Sequence, residues 1–172
     1  PERKHPRLNQ YDYSQDGLYF ITVCTQNRAC ILGTVVGRGD LTPPVVRLSR
    51  IGKIVDRYTT TISAAHAQVN VDKYAIMPNH VHLYYAFAPK DGGVGSPRPT
   101  VAEVIRGWKS LITRTVGHSI WQTSFYDHII RSPDDYNTNL ALHRHQPRQW
   151  AQDTLYVTDF PDPVRRPGCC TN

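Results

Sequence analysis

The sequence predicts an α+β sandwich, a central and mostly antiparallel sheet covered by helices. Three observations predict it. Segments rich in β-branched and aromatic residues alternate with segments of helical periodicity. A Pro-Asn interruption splits one long apolar stretch into a hairpin, and that hairpin falls between the two main amphipathic segments. No segment repeats. The 172 residues suit one domain with a real core, and the 40% hydrophobic content is ordinary. The expected domain spans 1–153, with a flexible Gly/Pro-rich connector at 89–99 and a Pro-rich tail at 154–172.

Leu18–Thr25, LYFITVCT, follows a turn-like Ser-Gln-Asp-Gly and reads as a central strand. Ile31–Val36 and Val45–Leu48 read as short strands around the turn-rich GRGDLTPP. From Ser49 to about Ser63, apolar residues at 51, 54, 55, 58 and 62 give an amphipathic helix with Ser49 as N-cap. Val69–Met77 and His80–Phe87 read as the two arms of a tight hairpin turning at Pro78-Asn79. Thr100 with Glu103 three residues on is a capping box, opening a helix whose stripe is Val101, Val104, Ile105, Trp108, Leu111 and Ile112. Ser119–Arg131 reads as a strand or extended segment. Ser132, Pro133 and the acids behind them start a last helix, expected to stop at His145 or Gln146 ahead of Pro147.

No apolar run nears the ~20 residues that cross a bilayer. The polar, basic opening PERKHPRLNQYDYS lacks an apolar secretion signal, so the expected location is the cytoplasm. None of the four cysteines forms a C-x-x-C pair; Cys24 and Cys30 read as buried small hydrophobes, Cys169 and Cys170 as exposed tail thiols. The net charge of +6 is consistent with a polyanionic partner.

Residues 76–83 read I-M-P-N-H-V-H-L. On a strand, His80 and His82 point the same way, with Cα atoms about 6.6 Å apart, so both imidazoles can reach one metal ion. A bare H-x-H more often marks two partly exposed, ordinary strand histidines. The second such pair, His143 and His145, falls on a predicted helix, diverges there, and reads with Arg144 and Arg148 as basic surface.

MPNHVHL, WQTSFYDHIIR and the opening RKHPRLNQYDYSQDGLYFITVCTQNR together resemble the REP-associated branch of the HUH tyrosine transposases, from Arg3 to about Asp153. The resemblance implies a ferredoxin-like, RRM-like sheet with the histidines on its central strand. It implies that they hold a divalent ion, Mg²⁺ or Mn²⁺, with an amide near the end of the last helix as third ligand; Gln146 fits that place. It further implies single-stranded or hairpin DNA as partner, in a monomer or homodimer, and a helix-borne tyrosine that attacks the scissile phosphate to leave a 5′-phosphotyrosine and a 3′-OH.

One position departs from that pattern. The nucleophile is expected four residues before the amide ligand, where this chain has Leu142. Strand cleavage is lost, or another tyrosine substitutes (Tyr126 or Tyr136), or the helix register is shifted. A protein that binds DNA without cutting it and a water-using phosphodiesterase are the rival readings. Arg3, Lys4, Arg7, Arg106, Lys109, Arg114 and Arg131 are the cations expected along a DNA backbone, with Tyr11, Tyr13 and Trp108 able to stack on bases. Trp108 leans to core, and His128 reads as a structural hydrogen-bonding residue.

Overall fold

The computed structural model describes residues 17–37, 43–87 and 99–156, with only the backbone for 141–146 and 149. The elements run β1 (Gly17–Cys24), β2 (Gly33–Val36), β3 (Val45–Leu48), α1 (Arg50–Thr60), α2 (Ile62–Ala65), β4 (Val69–Ile76), β5 (His80–Phe87), α3 (Val101–Val116), β6 (Tyr126–Ile130) and α4 (Pro133–Gln149). Short 3-10 turns follow β1 at Gln26–Arg28 and α4 at Trp150–Gln152.

The main sheet has the order β4-β5-β1-β6, every neighbouring pair antiparallel. β2 and β3 form a separate ribbon inserted ahead of α1. Without that ribbon the connectivity is β-α-β-β-α-β, the split βαβ arrangement of ferredoxin-like folds. The expected α+β sandwich is what the chain forms.

Alternation along the central strands makes two different faces. Tyr19, Ile21 and Val23 of β1 and Val81, Leu83 and Tyr85 of β5 are buried against Val55 of α1 and Val104, Ile105, Trp108 and Ile112 of α3. Each fully buried side chain of this kind contributes about 1.5–3 kcal/mol, so this layer is the main source of stability. Trp108 is core, buried against Trp121 with ring centroids 5.0 Å apart. The other face carries Phe20, Thr22, His80, His82 and Tyr84, and α4 lies across part of it, with Tyr136 5.8 Å from Tyr84 ring to ring.

The helix starts follow their sequence signals. Ser49 Oγ accepts from the Gly52 amide at 3.0 Å and donates to the Ile31 carbonyl at 2.6 Å, tying α1 to the chain before β2. A methyl at Gly52 would collide with the Leu32 carbonyl, so this close approach requires glycine. Thr100 and Glu103 close the capping box, and α3 ends at Gly117 with φ 91°, the left-handed stop that glycine adopts freely. Ser132 caps α4 through the Asp135 amide at 3.1 Å.

Four expectations are corrected. The segment 119–131 is a strand only over Tyr126–Ile130; residues before it form a loop bridged to β1 at Thr25–Trp121. The helix from Ser49 breaks at Thr61, where the threonines at its end bond back to their own backbone. Pro147 does not stop the last helix, which runs to Gln149. The missing Pro147 amide costs one bond in the final turn, while burial of Trp150 next to His80 holds the chain on course. Cys24 and Cys30 are half-buried rather than buried; Cys169 and Cys170 lie outside the described residues.

Candidate metal and nucleic-acid site

His80 and His82 stand on β5 at the middle of the sheet, on the face away from the α1/α3 core. Their ring centroids are 4.5 Å apart, and both rings are buried, His80 fully and His82 to 6% exposure. Each is held by its Nδ1. His82 Nδ1 lies 2.8 Å from Thr22 Oγ1 on β1, and Phe20 stacks on its ring at 4.8 Å.

For His80 the neighbouring bonds decide the tautomer. Asn79 uses its amide nitrogen twice, donating to the Arg28 carbonyl at 3.1 Å and the Leu155 carbonyl at 2.7 Å. Its Oδ1 therefore faces His80 Nδ1 at 2.9 Å as an acceptor. Nδ1 therefore carries a hydrogen, and Nε2 is left on the side of Asp153. A hydrogen bond to one ring nitrogen in this way fixes the orientation of an imidazole and the tautomer it presents. Nε2 lies 3.8 Å from Asp153 Oδ2, too long for a hydrogen bond.

The imidazole pair thus fits two ligands of a divalent ion. Among the described residues no trio of His, Cys, Asp or Glu is arranged to hold one. The third donor expected from the sequence, Gln146, lies on α4 with its side chain outside the described residues, as do the side chains of Leu142, His143 and His145. Imidazole ligands alone select no particular metal.

The sheet register places Tyr126. Thr22 pairs with His82 on one side and with Tyr126 on the other, so the three form one row on one face. Strands ~4.8 Å apart put the Tyr126 and His82 Cα atoms roughly 10 Å from each other. Tyr126 is 59% exposed. Tyr136 is engaged elsewhere, its hydroxyl donating to Asp72 Oδ2 at 2.7 Å and accepting from Lys73 Nζ at 3.0 Å. His128 bonds Asp135 at 3.0 Å, the structural role expected of it, and holds that carboxyl below its usual range.

The basic residues sort differently from expectation. Arg106 and Arg131 are exposed. Lys109 is not a free surface cation: its Nζ donates to the carbonyls of Gln122 at 2.9 Å and Ser124 at 3.0 Å, clamping the loop before β6, and burial pulls its pKa down to about 8. Arg3, Lys4, Arg7, Tyr11 and Tyr13 lie outside the described residues. Two features went unread in the sequence. Asn79 was only a turn residue there, yet it is the hub of the site. Arg50, Lys53 and Arg57 recur at i, i+3 and i+7 on the exposed side of α1, with no ion pair among the described residues.

No protein-family model matches the chain. An uncharacterized protein of Haemophilus influenzae is 28% identical over 174 residues, covering 90% of this chain and 93% of that one. Among solved structures, a REP-associated tyrosine transposase bound to a REP hairpin matches with a TM-score of 0.56 at 17% identity, covering 93% of this chain and 94% of that one. The chain has the fold of a REP-associated tyrosine transposase. In this chain the two histidines stand on β5, one of the two central strands of the sheet. No helix among the described residues is long and apolar enough to cross a membrane.

Proposed function

We propose that the protein binds single-stranded DNA carrying a small hairpin and breaks and rejoins it in a reaction dependent on a divalent ion, Mg²⁺ or Mn²⁺. The observation that carries this reading is the pair of imidazoles held by Asn79 and Thr22 on one face of the sheet, with the exposed Tyr126 in the same row as His82, on a transposase fold. His80, His82 and Gln146 are the proposed ligands. A bound divalent ion supplies neutralisation of charge on the phosphate oxygens. Tyr126 is the proposed nucleophile. Its phenol oxygen bonds to phosphorus, the P–O3′ bond breaks, and the phenolic proton passes to the leaving 3′ oxygen through solvent, giving a 5′-phosphotyrosine and a 3′-OH. Rejoining is the reverse attack by a 3′-OH. Because both imidazoles are buried, the phosphate must enter along the Thr22–Tyr126 side or the segment around Trp150 must lift.

Incubation of labelled hairpin oligonucleotides with the protein and Mn²⁺, followed by a denaturing gel, tests the reading. A covalent protein–DNA band that disappears in Tyr126→Phe and in the double variant His80→Ala/His82→Ala is the expected result. An adduct that survives Tyr126→Phe refutes the nucleophile. Cleavage without an adduct points to water, and binding with neither points to a recognition protein.

A further inference from the structure

β6 is a short strand at the edge of the main sheet, laddered to β1. Register is weakly specified in such a strand, and a slip of one residue turns every side chain to the other face. Tyr126 shares a face with His82 only in the register that pairs it with Thr22. Where the β1–β6 ladder starts thus decides whether Tyr126 or one of its neighbours faces the imidazoles.

Lys109 holds that start. It leaves α3 beside Trp108, which is buried to 3% exposure and packed on Trp121, so its stem springs from a rigid platform. Its ammonium meets three successive main-chain carbonyls: Gln122 at 2.9 Å, Ser124 at 3.0 Å and, more loosely, Thr123 at 3.5 Å. An ammonium has three donors and no acceptor, so these carbonyls occupy all of it. Its pKa of about 8 leaves it mostly charged at pH 7. The Phe125 ring lies 5.8 Å from Nζ and packs against the core. Because strand side chains alternate, seating Phe125 on that side sends Tyr126 to the face of Thr22 and His82.

The clamp spans the gap between two fixed points. Upstream, the Gln122 amide donates to the Cys24 carbonyl at 3.0 Å; downstream, the first rung of the ladder is Thr22–Tyr126. Between them run Thr123, Ser124 and Phe125, the stretch that Lys109 gathers in. Desolvating an ammonium brings little net stability, since an apolar side chain of similar volume often serves as well. What the ammonium adds is direction.

We infer that Lys109 is a positioning residue for strand cleavage: by holding the carbonyls of Gln122–Ser124 it pins the β1–β6 register and so aims Tyr126 at the phosphate on His80 and His82. The inference rests on the proposed Tyr126 chemistry and adds the group that places the tyrosine.

The test separates the rate of attack from DNA affinity. It uses Lys109→Met, which keeps the stem and removes the donors, and Lys109→Ala, which leaves room for an added amine. At pH 7 with Mn²⁺ and saturating hairpin oligonucleotide, the single-turnover rate of adduct formation should fall about 100-fold in Lys109→Met, the scale that a misplacement of about 1 Å produces. The Kd for the hairpin should stay within about two-fold, as for a group that acts only on the attack step. Propylammonium, but not propanol, should restore part of the rate in Lys109→Ala and leave the wild type unaffected. An unchanged rate, or a Kd that weakens while the saturating rate holds, overturns the inference. So does a rate that the amine cannot recover. Fluorine NMR with 3-fluorotyrosine in place of Tyr126 reads the placement without DNA, and its line should move in Lys109→Met. If the wild type forms no adduct, the Tyr126 chemistry fails and that line alone decides the clamp; an unmoved line overturns it. Circular-dichroism melts at pH 7 check that both variants fold.

Discussion

Replacing Asn79 by alanine removes one buried side chain and the three hydrogen bonds it makes. The side chain is 1% exposed, and its amide serves the Arg28 carbonyl, the Leu155 carbonyl and His80 Nδ1 at 3.1, 2.7 and 2.9 Å. A neutral hydrogen bond contributes about 0.5–1.5 kcal/mol net, and groups left buried and unsatisfied cost somewhat more. Three such bonds sum to roughly 2–4 kcal/mol. With a urea dependence of about 2 kcal/mol per molar, the unfolding midpoint should fall by about 1–2 M. A second readout concerns His80 alone. Nitrogen-15 NMR of the metal-free wild type should show the Nδ1–H form, and the alanine variant should lose that preference. Asn79→Asp keeps the acceptor and drops both donors; it should retain the Nδ1–H form while losing part of the stability. A midpoint lowered by less than about 0.3 M, with the tautomer unchanged in the alanine variant, would refute the assignment of Asn79 as the hub.

Two further predictions concern charge. Lys109 has its pKa pulled down to about 8 by burial, against ~10.4 for an unfolded chain, so between those values the unfolded state binds more protons. Stability should therefore rise from pH 8 toward pH 10 in the wild type relative to Lys109→Met, with no relative change below pH 8; parallel urea midpoints at every pH would contradict this. Arg50→Gln/Lys53→Gln/Arg57→Gln should lower the slope of log affinity for hairpin DNA against log salt by up to about 2–3, because each phosphate contact releases close to one counterion. An unchanged slope would place α1 away from the DNA.

The fold was legible because its signals are local. The hairpin at Pro78-Asn79, the Ser49 and Ser132 caps and the Thr100/Glu103 box each depend on neighbours within four residues, and each stands where the sequence places it. Errors arose where distant contacts overrule local preference. Pro147 is a helix breaker by itself, but Trp150 is buried ring to ring 6.0 Å from His80, a contact across 70 residues that no periodicity announces. Lys109 looked like a surface cation because its helix position is half-polar. The carbonyls it serves lie 13–15 residues on, in a loop without regular structure. The histidine pair itself was visible, since alternation on a strand fixes where both rings point. What holds them was not: the roles of Asn79 and Thr22 depend on β5 pairing with β1.

The same pairing bears on the missing hydroxyl at Leu142. A tyrosine on a helix reaches the sheet from above, and its aim depends on how the helix lies. A tyrosine on β6 reaches along the sheet, and its aim is set by register. Tyr126 pairs with Thr22, which bonds His82, so its Cα is fixed relative to the imidazoles by the β1–β6 ladder. The end of β6 is tied down in turn, His128 and the Arg131 amide both reaching Asp135 at 3.0 and 3.2 Å. The ring, 59% exposed, is the part left to turn. A strand-borne nucleophile of this kind would need only side-chain rotation to approach the phosphate. The proposed chemistry therefore predicts that Ile129→Pro, which breaks the β1–β6 register, abolishes adduct formation, whereas Tyr136→Phe, on α4 and turned toward Asp72 and Lys73, leaves it intact.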